Sequence, residues 1–437
     1  MALSPSTNVL QQTVFRMWHF PKVAALASLI GLSACDSSYW AAKPQTPDNR
    51  TPVANLPTEG SSQNLPKFLA DLPESTPNRE LLAQSWDSYR QRFIQSDGRV
   101  IDYQASDRST SEGQAYALLR AVLINDPATF ALTLHWSENN LQHRAGGKRT
   151  DSLWAWKWGR KEDGNWGIID TNFASDGDID AITALILGSR RWNRPEYLEL
   201  AKLKLQDLWN LSTISEPQGK RYLLPGTVAA FVPNASTYYL NPSYFAPYAF
   251  RIFAQVDPQH DWLSLVDSSY QVLENSTKLS RVGLPSDWVA LNTKTGQCQT
   301  LPASSTLKSL YSFDAYRVWW RLSLDAAWFN SPQAQRYLVT STQHLRKLWS
   351  KQSSLPARID LQGKALVNYE ATSQYAMLYA AMQLVEPATA QELLVKKILP
   401  QYKQGVWGDE SAYYTQNLAW LGLLPPKTIP QRLLIGK

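Results

Sequence analysis

From residue 78 to residue 422 the chain keeps returning to one pattern: apolar side chains at i, i+3, i+4 and i+7. A helix gathers such residues onto one face, whereas a strand scatters them over two. The segments 78–95, 111–124, 127–142, 177–192, 196–210, 244–256, 261–275, 313–329, 332–349, 369–385, 389–398 and 411–422 all carry it, separated by loops that bear Gly, Pro or Asn. Strand-like alternation is scarce, and the segments share no short fixed repeat. A dozen amphipathic or buried helices in 437 residues predict an all-α toroid or solenoid rather than a small bundle.

Ahead of this region the composition changes twice. Arg16 and Lys22 precede the apolar run "VAALASLIGLSA" (23–34), too short to span a bilayer and ending in small residues, the form of an export signal. "LSAC" (32–35) resembles a bacterial lipobox, which would make Cys35 the lipidated first residue of the mature chain. Cys298 is the only other cysteine, so no disulfide is available within the mature chain. One lipidated terminus anchors a protein to a membrane without spanning it. Residues 41–62, rich in Pro, Thr, Asn and Ser, read as a tether. The expected organisation is a signal peptide over 1–34, a lipidated N-terminus and linker over 35–64, and one globular domain over 65–437, placed on the periplasmic face of a bacterial membrane.

The net charge of +6 is spread without any long Lys/Arg cluster, so no nucleic-acid partner is expected. Eighteen Trp and twenty Tyr are more telling. Aromatic rings beyond what a core needs line grooves for ligands with flat apolar faces, such as sugars; otherwise they pack the core.

Three acidic stations stand out. In "TSEGQAYALLRAV" (110–122) Ser111 and Gln114 have the spacing of a capping box, and Glu112 falls in the first helical turn, where the helix dipole favours an acid by about 0.3–1 kcal/mol. In "NFASDGDIDAITALILGSRRW" (172–192) three aspartates lead into an apolar helix. A calcium loop starting at Asp176 would require Gly and Glu where Ala181 and Leu187 stand, so that reading is excluded. The acids either cap the helix or sit at the mouth of a site. In "FDAYRVWWRLSLDAAW" (313–328) Asp314, Arg317, Arg321 and Asp325 share one face of an otherwise apolar helix. Because buried charges need partners, the stripe forms an intrahelical ladder, Asp314–Arg317 and Arg321–Asp325, or faces a wet central cavity.

Other chemistries lack their residues. The five histidines show no H-x-x-x-H or H-E-x-x-H spacing, no C-x-x-C occurs, and "AGGKRT" (145–150) lacks the first glycine of a P-loop. No G-x-S-x-G elbow or G-x-G-x-x-G is present either. Carboxylates remain as the catalytic set, with no metal and no cofactor expected.

The blocks "DGRVID" (97–102), "SEGQAYALL" (111–119), "WAWKWG" (154–159), "ASDGDIDAITALI" (174–186), "LNPSYFAPYAFRIFA" (240–254), "GLPSDW" (283–288), "FDAYRVWWR" (313–321) and "YYTQNLAWLG" (413–422) resemble, in order, those of glycoside hydrolase family 8. The likeness runs over about residues 80–423 and is greatest to periplasmic endoglucanases that accompany bacterial cellulose synthesis. The resemblance implies an (α/α)6 barrel and an inverting endo-β-1,4-glucanase, with chitosanase or xylanase activity as alternatives within the family. A non-catalytic glucan-binding accessory lipoprotein is the alternative outside enzymes. It further implies Glu112 as general acid, Asp314 as general base, Asp176 as a catalytic-centre carboxylate that binds substrate, Trp156 and Tyr244 as sugar-contacting rings, and a β-1,4-glucan chain as partner. Arg317 joins the substrate-binding set, and a cellulose synthase or secretion complex is the implied protein partner. The sequence departs from the family pattern at Ala181-Ile182 and at Trp319, where many members carry Pro. A general acid at a helix N-terminus needs something to oppose the dipole; burial and the neighbouring Asp176 are expected to do so, and Arg317 to help keep Asp314 ionised.

Overall fold

The computed structural model describes residue 74 and residues 76–216 and 219–436. Cys35, the export-signal run and the tether lie outside the described residues. The first helices are α1 (Arg79–Phe93), α2 (Ser111–Ile124), α3 (Pro127–Asn140), α4 (Ser175–Trp192) and α5 (Pro195–Ser212). A single turn, α6 (Val228–Phe231), precedes α7 (Pro247–Val256), α8 (Trp262–Thr277), α9 (Phe313–Phe329), α10 (Pro332–Ser341) and α11 (Gln343–Gln352). Then come α12 (Thr372–Val385), α13 (Pro387–Leu393), α14 (Tyr413–Leu423) and the short α15 (Gln431–Ile435).

Their contacts close a ring. Helix α2 packs on α4, α4 on α7, α7 on α9, α9 on α12, α12 on α14, and α14 returns to α2. Each inner helix carries an outer one: α3 on α2, α5 on α4, α8 on α7, α10 on α9, α13 on α12 and α1 on α14. Six hairpins in two concentric layers make the (α/α)6 barrel. The inner helices are buried on nearly all sides, and in α2 every residue except Glu112 is buried. Close approach of the inner helices requires small residues. A Cβ on Gly422 of α14 would lie 2.3 Å from the carbonyl oxygen of Ala376 on α12, and one on Gly177 of α4 would lie 2.8 Å from Ser111 Oγ of α2. Proline opens α3, α5, α7, α10 and α13, and left-handed asparagines end α2, α4 and α9 at Asn125, Asn193 and Asn330.

Four expectations need correction. The helix expected over 332–349 breaks at Thr342, whose hydroxyl donates back to Leu338 O (2.6 Å), a competing local bond of the kind that bends helices. The cap of α2 is Thr110, whose Oγ1 accepts from Gly113 N (3.0 Å); Ser111 is the first helical residue. Gln114 makes no capping box, because its amide reaches Val100 N (2.5 Å) and Ser137 Oγ (2.8 Å) and so ties α2 to α3. Of the ladder on α9, Asp314–Arg317 forms, but Arg321 grips Asp180 of α4 with two nitrogens (2.7 and 3.0 Å), and Asp325 accepts from Arg251 of α7 (2.8 Å) and Tyr270 of α8 (2.6 Å). Long cationic side chains satisfy buried charge across the ring rather than along the helix.

The fourth correction is strand content. Strands β1 (Ser109–Thr110), β2 (Gln142–Ala145), β3 (Lys148–Arg160) and β4 (Trp166–Phe173) form an antiparallel sheet in which β3 pairs with each of the others. Register shifts lie on both sides of Lys157, and Ser152–Trp156 are buried on both faces of β3, which hides the polar alternation of a half-exposed strand. This sheet carries "WAWKWG" beside the start of α2, since Thr110 pairs with Lys157 and Ser109 with Trp158.

Candidate active site

The N-terminal turns of four inner helices deliver side chains to one point: Glu112 from α2, Asp176 from α4, Asp314 from α9 and Tyr413 from α14. Arg317, one turn into α9, sits at the centre. Its Nη1 donates to Glu112 Oε2 (2.6 Å) and Asp176 Oδ2 (2.8 Å), and its Nη2 to Asp314 Oδ1 (2.8 Å) and Ser243 Oγ (2.9 Å). Tyr413 donates its hydroxyl to Glu112 Oε1 (2.9 Å), and the Trp288 indole N–H donates to Asp314 Oδ2 (3.2 Å). Asp287 fixes the start of α9 by accepting from the backbone N–H groups of Ser312 (3.1 Å) and Ala315 (2.8 Å) and from the Ser312 hydroxyl. The turn of α9 that bears Asp314 is thus capped from a neighbouring loop.

One cation faces three buried carboxylates, and that imbalance sets the electrostatics. Burial raises Glu112 to about 7, with Arg317 pulling the other way and the charges of Asp176 and Asp314 adding to the rise. Burial likewise raises Asp314 to about 7, opposed by Arg317 and reinforced by Asp287 and Asp176. Asp176 is raised as well, again chiefly by burial. Arg317 favours the ionised form of Asp314, as expected, but burial outweighs it. The outcome is a cluster that holds and exchanges a proton near neutrality, which acid–base catalysis requires. Among the described residues no set of three or more His, Cys, Asp or Glu side chains is arranged to hold a metal ion.

Glu112, Asp176, Asp314 and Arg317 are therefore brought together. Tyr244 borders them, with the Arg317 guanidinium 5.3 Å from its ring centre and Trp288 at 6.0 Å. Trp156 stands on β3, outside this hydrogen-bonded set, with Lys157 Nζ 5.4 Å and Arg108 Cζ 5.9 Å from its ring. Its ring is only 3% exposed, and its indole N–H has no protein partner. Cys35 lies outside the described residues. Sequence reasoning missed Tyr413, Trp288, Ser243 and Asp287. Nothing in periodicity separates Tyr413 from the neighbouring Tyr414, which shares the first turn of the same helix.

A family model described as "Glycosyl hydrolases family 8" matches residues 72–426. An endoglucanase of Salmonella typhi is 30% identical over 342 residues, covering 77% of this chain and 85% of that protein. An endoglucanase of Xanthomonas axonopodis pv. citri (strain 306) is 37% identical over 243 residues, 55% of this chain, and the match spans 60% of that relative's length. Among solved structures, the endo-1,4-D-glucanase from Vibrio fischeri ES114 superposes with a TM-score of 0.66 at 28% identity, covering 78% of this chain and 93% of that one.

Proposed function

The chain belongs to glycosyl hydrolase family 8, and from that premise we propose that it is an inverting endo-β-1,4-glucanase with Glu112 as general acid and Asp314 as general base. The observation that carries the assignment is the way Arg317 holds the two carboxylates on different nitrogens. A guanidinium between them opposes direct proton sharing, and the inverting reading requires about 6.5–9.5 Å between the two carboxyls for the attacking water. The two sites are not equivalent. Asp314 has one Arg317 nitrogen that no other carboxylate shares and the Trp288 N–H besides, whereas Glu112 shares its nitrogen with Asp176. Charge is better stabilised on Asp314, so the proton belongs on Glu112.

In the reaction Glu112 gives its proton to the leaving glycosidic oxygen as the bond to the anomeric carbon breaks. Asp314 takes a proton from a water that attacks that carbon from the opposite face. Asp176 keeps Glu112 protonated by like charge and binds a sugar hydroxyl; Tyr244 and Trp156 supply rings, and Arg317 orients the acids and the substrate. The names of the relatives support glucan as the substrate, and the "LSAC" motif supports a lipid anchor at Cys35 on the periplasmic face. Resemblance to cellulose-synthesis-associated endoglucanases supports work beside a glucan synthase.

Reducing-end release from carboxymethyl-cellulose, chitosan and xylan tests the substrate. Cleavage of carboxymethyl-cellulose is expected; cleavage of only one of the other two would reassign the substrate, and cleavage of none would leave a binding protein. Proton NMR of fresh product is expected to show the α-anomer, and a β-anomer would remove Asp314 as a base acting through water.

A further inference from the structure

On the sheet beside the site lies an open groove of about 900 Å³, near the upper end of what small-molecule sites occupy. None of Glu112, Asp176 or Asp314 lines it. One wall is a pair of stacked indoles, Trp158 and Trp166, with ring centres 5.2 Å apart and planes at 21°. The Arg99 guanidinium lies 4.5 Å from the first ring and 4.6 Å from the second. Trp166 is thus held by two contacts and is nevertheless 47% exposed. Leu211 and Val228, both exposed, stand in the other part of the lining, together with the amide of Asn139 and the hydroxyl of Thr171.

We propose that this groove is a second glucan-binding platform, which seats a distal stretch of the same β-1,4-linked chain whose scissile bond lies at Glu112 and Asp314. The inference rests on the glucanase reading above. Three features select the occupant. A rigid, flat, half-exposed aromatic surface beside neutral amide and hydroxyl groups matches the C–H faces and equatorial hydroxyls of a pyranose chain. The lining mixes Arg144 and Lys161 with Asp151, so it lacks the single sign of charge that a polyanion selects. The groove also neighbours the site along the chain. Trp158, in its lining, pairs across the sheet with Ser109, which stands three residues before Glu112.

The platform makes long chains better ligands than short ones without touching the chemistry. Binding is read by native electrophoresis of the Glu112→Gln protein through gels containing hydroxyethyl-cellulose, a neutral glucan polymer. Adding Trp166→Ala is expected to weaken retardation about tenfold, as loss of an aromatic anchor does. In the active enzyme Trp166→Ala should raise KM on the polymer and leave kcat/KM on a short cello-oligosaccharide unchanged. Unchanged retardation, or an equal loss on polymer and oligosaccharide, would overturn the proposal. Should Trp166→Ala fail to fold, Val228→Asp places a charge at an exposed position of the same groove and carries the same expectation; parental retardation by that variant would overturn it equally. Wild-type turnover of the oligosaccharide tests the glucanase reading separately, since it does not involve the groove.

Discussion

Arg317→Met removes the one cation shared by three buried carboxylates, and its effect on stability should depend on pH in a direction the structure fixes. In the folded protein burial raises Glu112, Asp314 and Asp176 above their ordinary values, and Arg317 is the foremost influence opposing that rise. Without it all three rise further. At pH 5 the folded variant takes up protons and leaves few bare charges, so the loss reduces to direct hydrogen bonds at about 1 kcal/mol each. At pH 8 the same carboxyls must ionise in a buried, uncompensated site or hold protons that the unfolded chain has released. The loss should then grow toward the roughly 3–5 kcal/mol typical of breaking a buried pair. The sign follows from linkage: a folded-state pKa above the unfolded value means more protons bound in the folded state, so stability falls as pH rises through that window. Activity should move in parallel. With Asp314 as the proposed base, the acid limb of the rate profile should move up from about 7, costing about tenfold in rate at neutral pH for each pH unit the limb moves. Chemical denaturation at pH 5 and pH 8, with kcat/KM against pH, measures both. A stability loss equal at the two pH values, or an acid limb that stays in place, would refute the reasoning.

Glu112→Gln and Asp314→Asn should each keep the fold and lower turnover by about 10²–10⁴-fold, yet a glucosyl fluoride substrate, whose leaving group needs no proton, should partly rescue only the first; equal rescue of both would undo the assignment. Asp178, raised to about 7 by burial, accepts from Trp154 N (3.1 Å) and leaves Oδ2 without a hydrogen-bond partner. Its folded-state pKa lies above the unfolded value, so wild-type stability is lost between about pH 4 and pH 7, and Asp178→Asn should gain up to a few kcal/mol relative to wild type from pH 5 to pH 8. A pH-independent difference in thermal denaturation would count against this. Cys35→Ser should release the protein from the membrane fraction, and a wild type that takes up no lipid label would contradict the anchor.

The barrel was legible because inner helices of a closed ring must be apolar nearly all round, and that pattern survives in sequence as long runs such as Ala115–Ile124, whose residues are all buried. Glu112 stood out for a complementary reason: it is the one acidic residue of α2, and it is the one residue of that helix left partly open to solvent. The partner of Arg321 was not legible. Spacing along α9 offers Asp325 at i+4, whereas the side chain crosses the ring to Asp180, and sequence separation carries no record of which inner helices lie side by side. Strand β3 escaped although Trp154, Trp156 and Trp158 alternate, because Ser152–Trp156 are buried on both faces and the segment lacks the apolar-in, polar-out pattern of a half-exposed strand.

Helix α9 places two buried arginines one turn apart, and the difference between them sets the proposed acid–base site at one and a joint at the other. Arg321 meets a single carboxylate, Asp180, through two nitrogens, with the Ser243 carbonyl and Tyr248 hydroxyl completing its shell. Charge and hydrogen bonds there are balanced, so the pair behaves as a fixed joint between α9 and α4. Arg317 is placed where the N-terminal turns of α2, α4 and α9 converge, and it meets three carboxylates instead of one. The helix N-termini help to hold this excess of negative charge, each contributing roughly half a positive charge, but burial opposes full ionisation. The residue of that conflict is a proton retained near neutral pH on a cluster open to solvent only at Glu112. Moving Glu112 one turn inward, opposite Arg321, would give it the same neighbouring helices but a cation already neutralised, and no water to exchange with. Position along the ring axis therefore decides which of two equal arginines makes a joint and which makes an acid–base site.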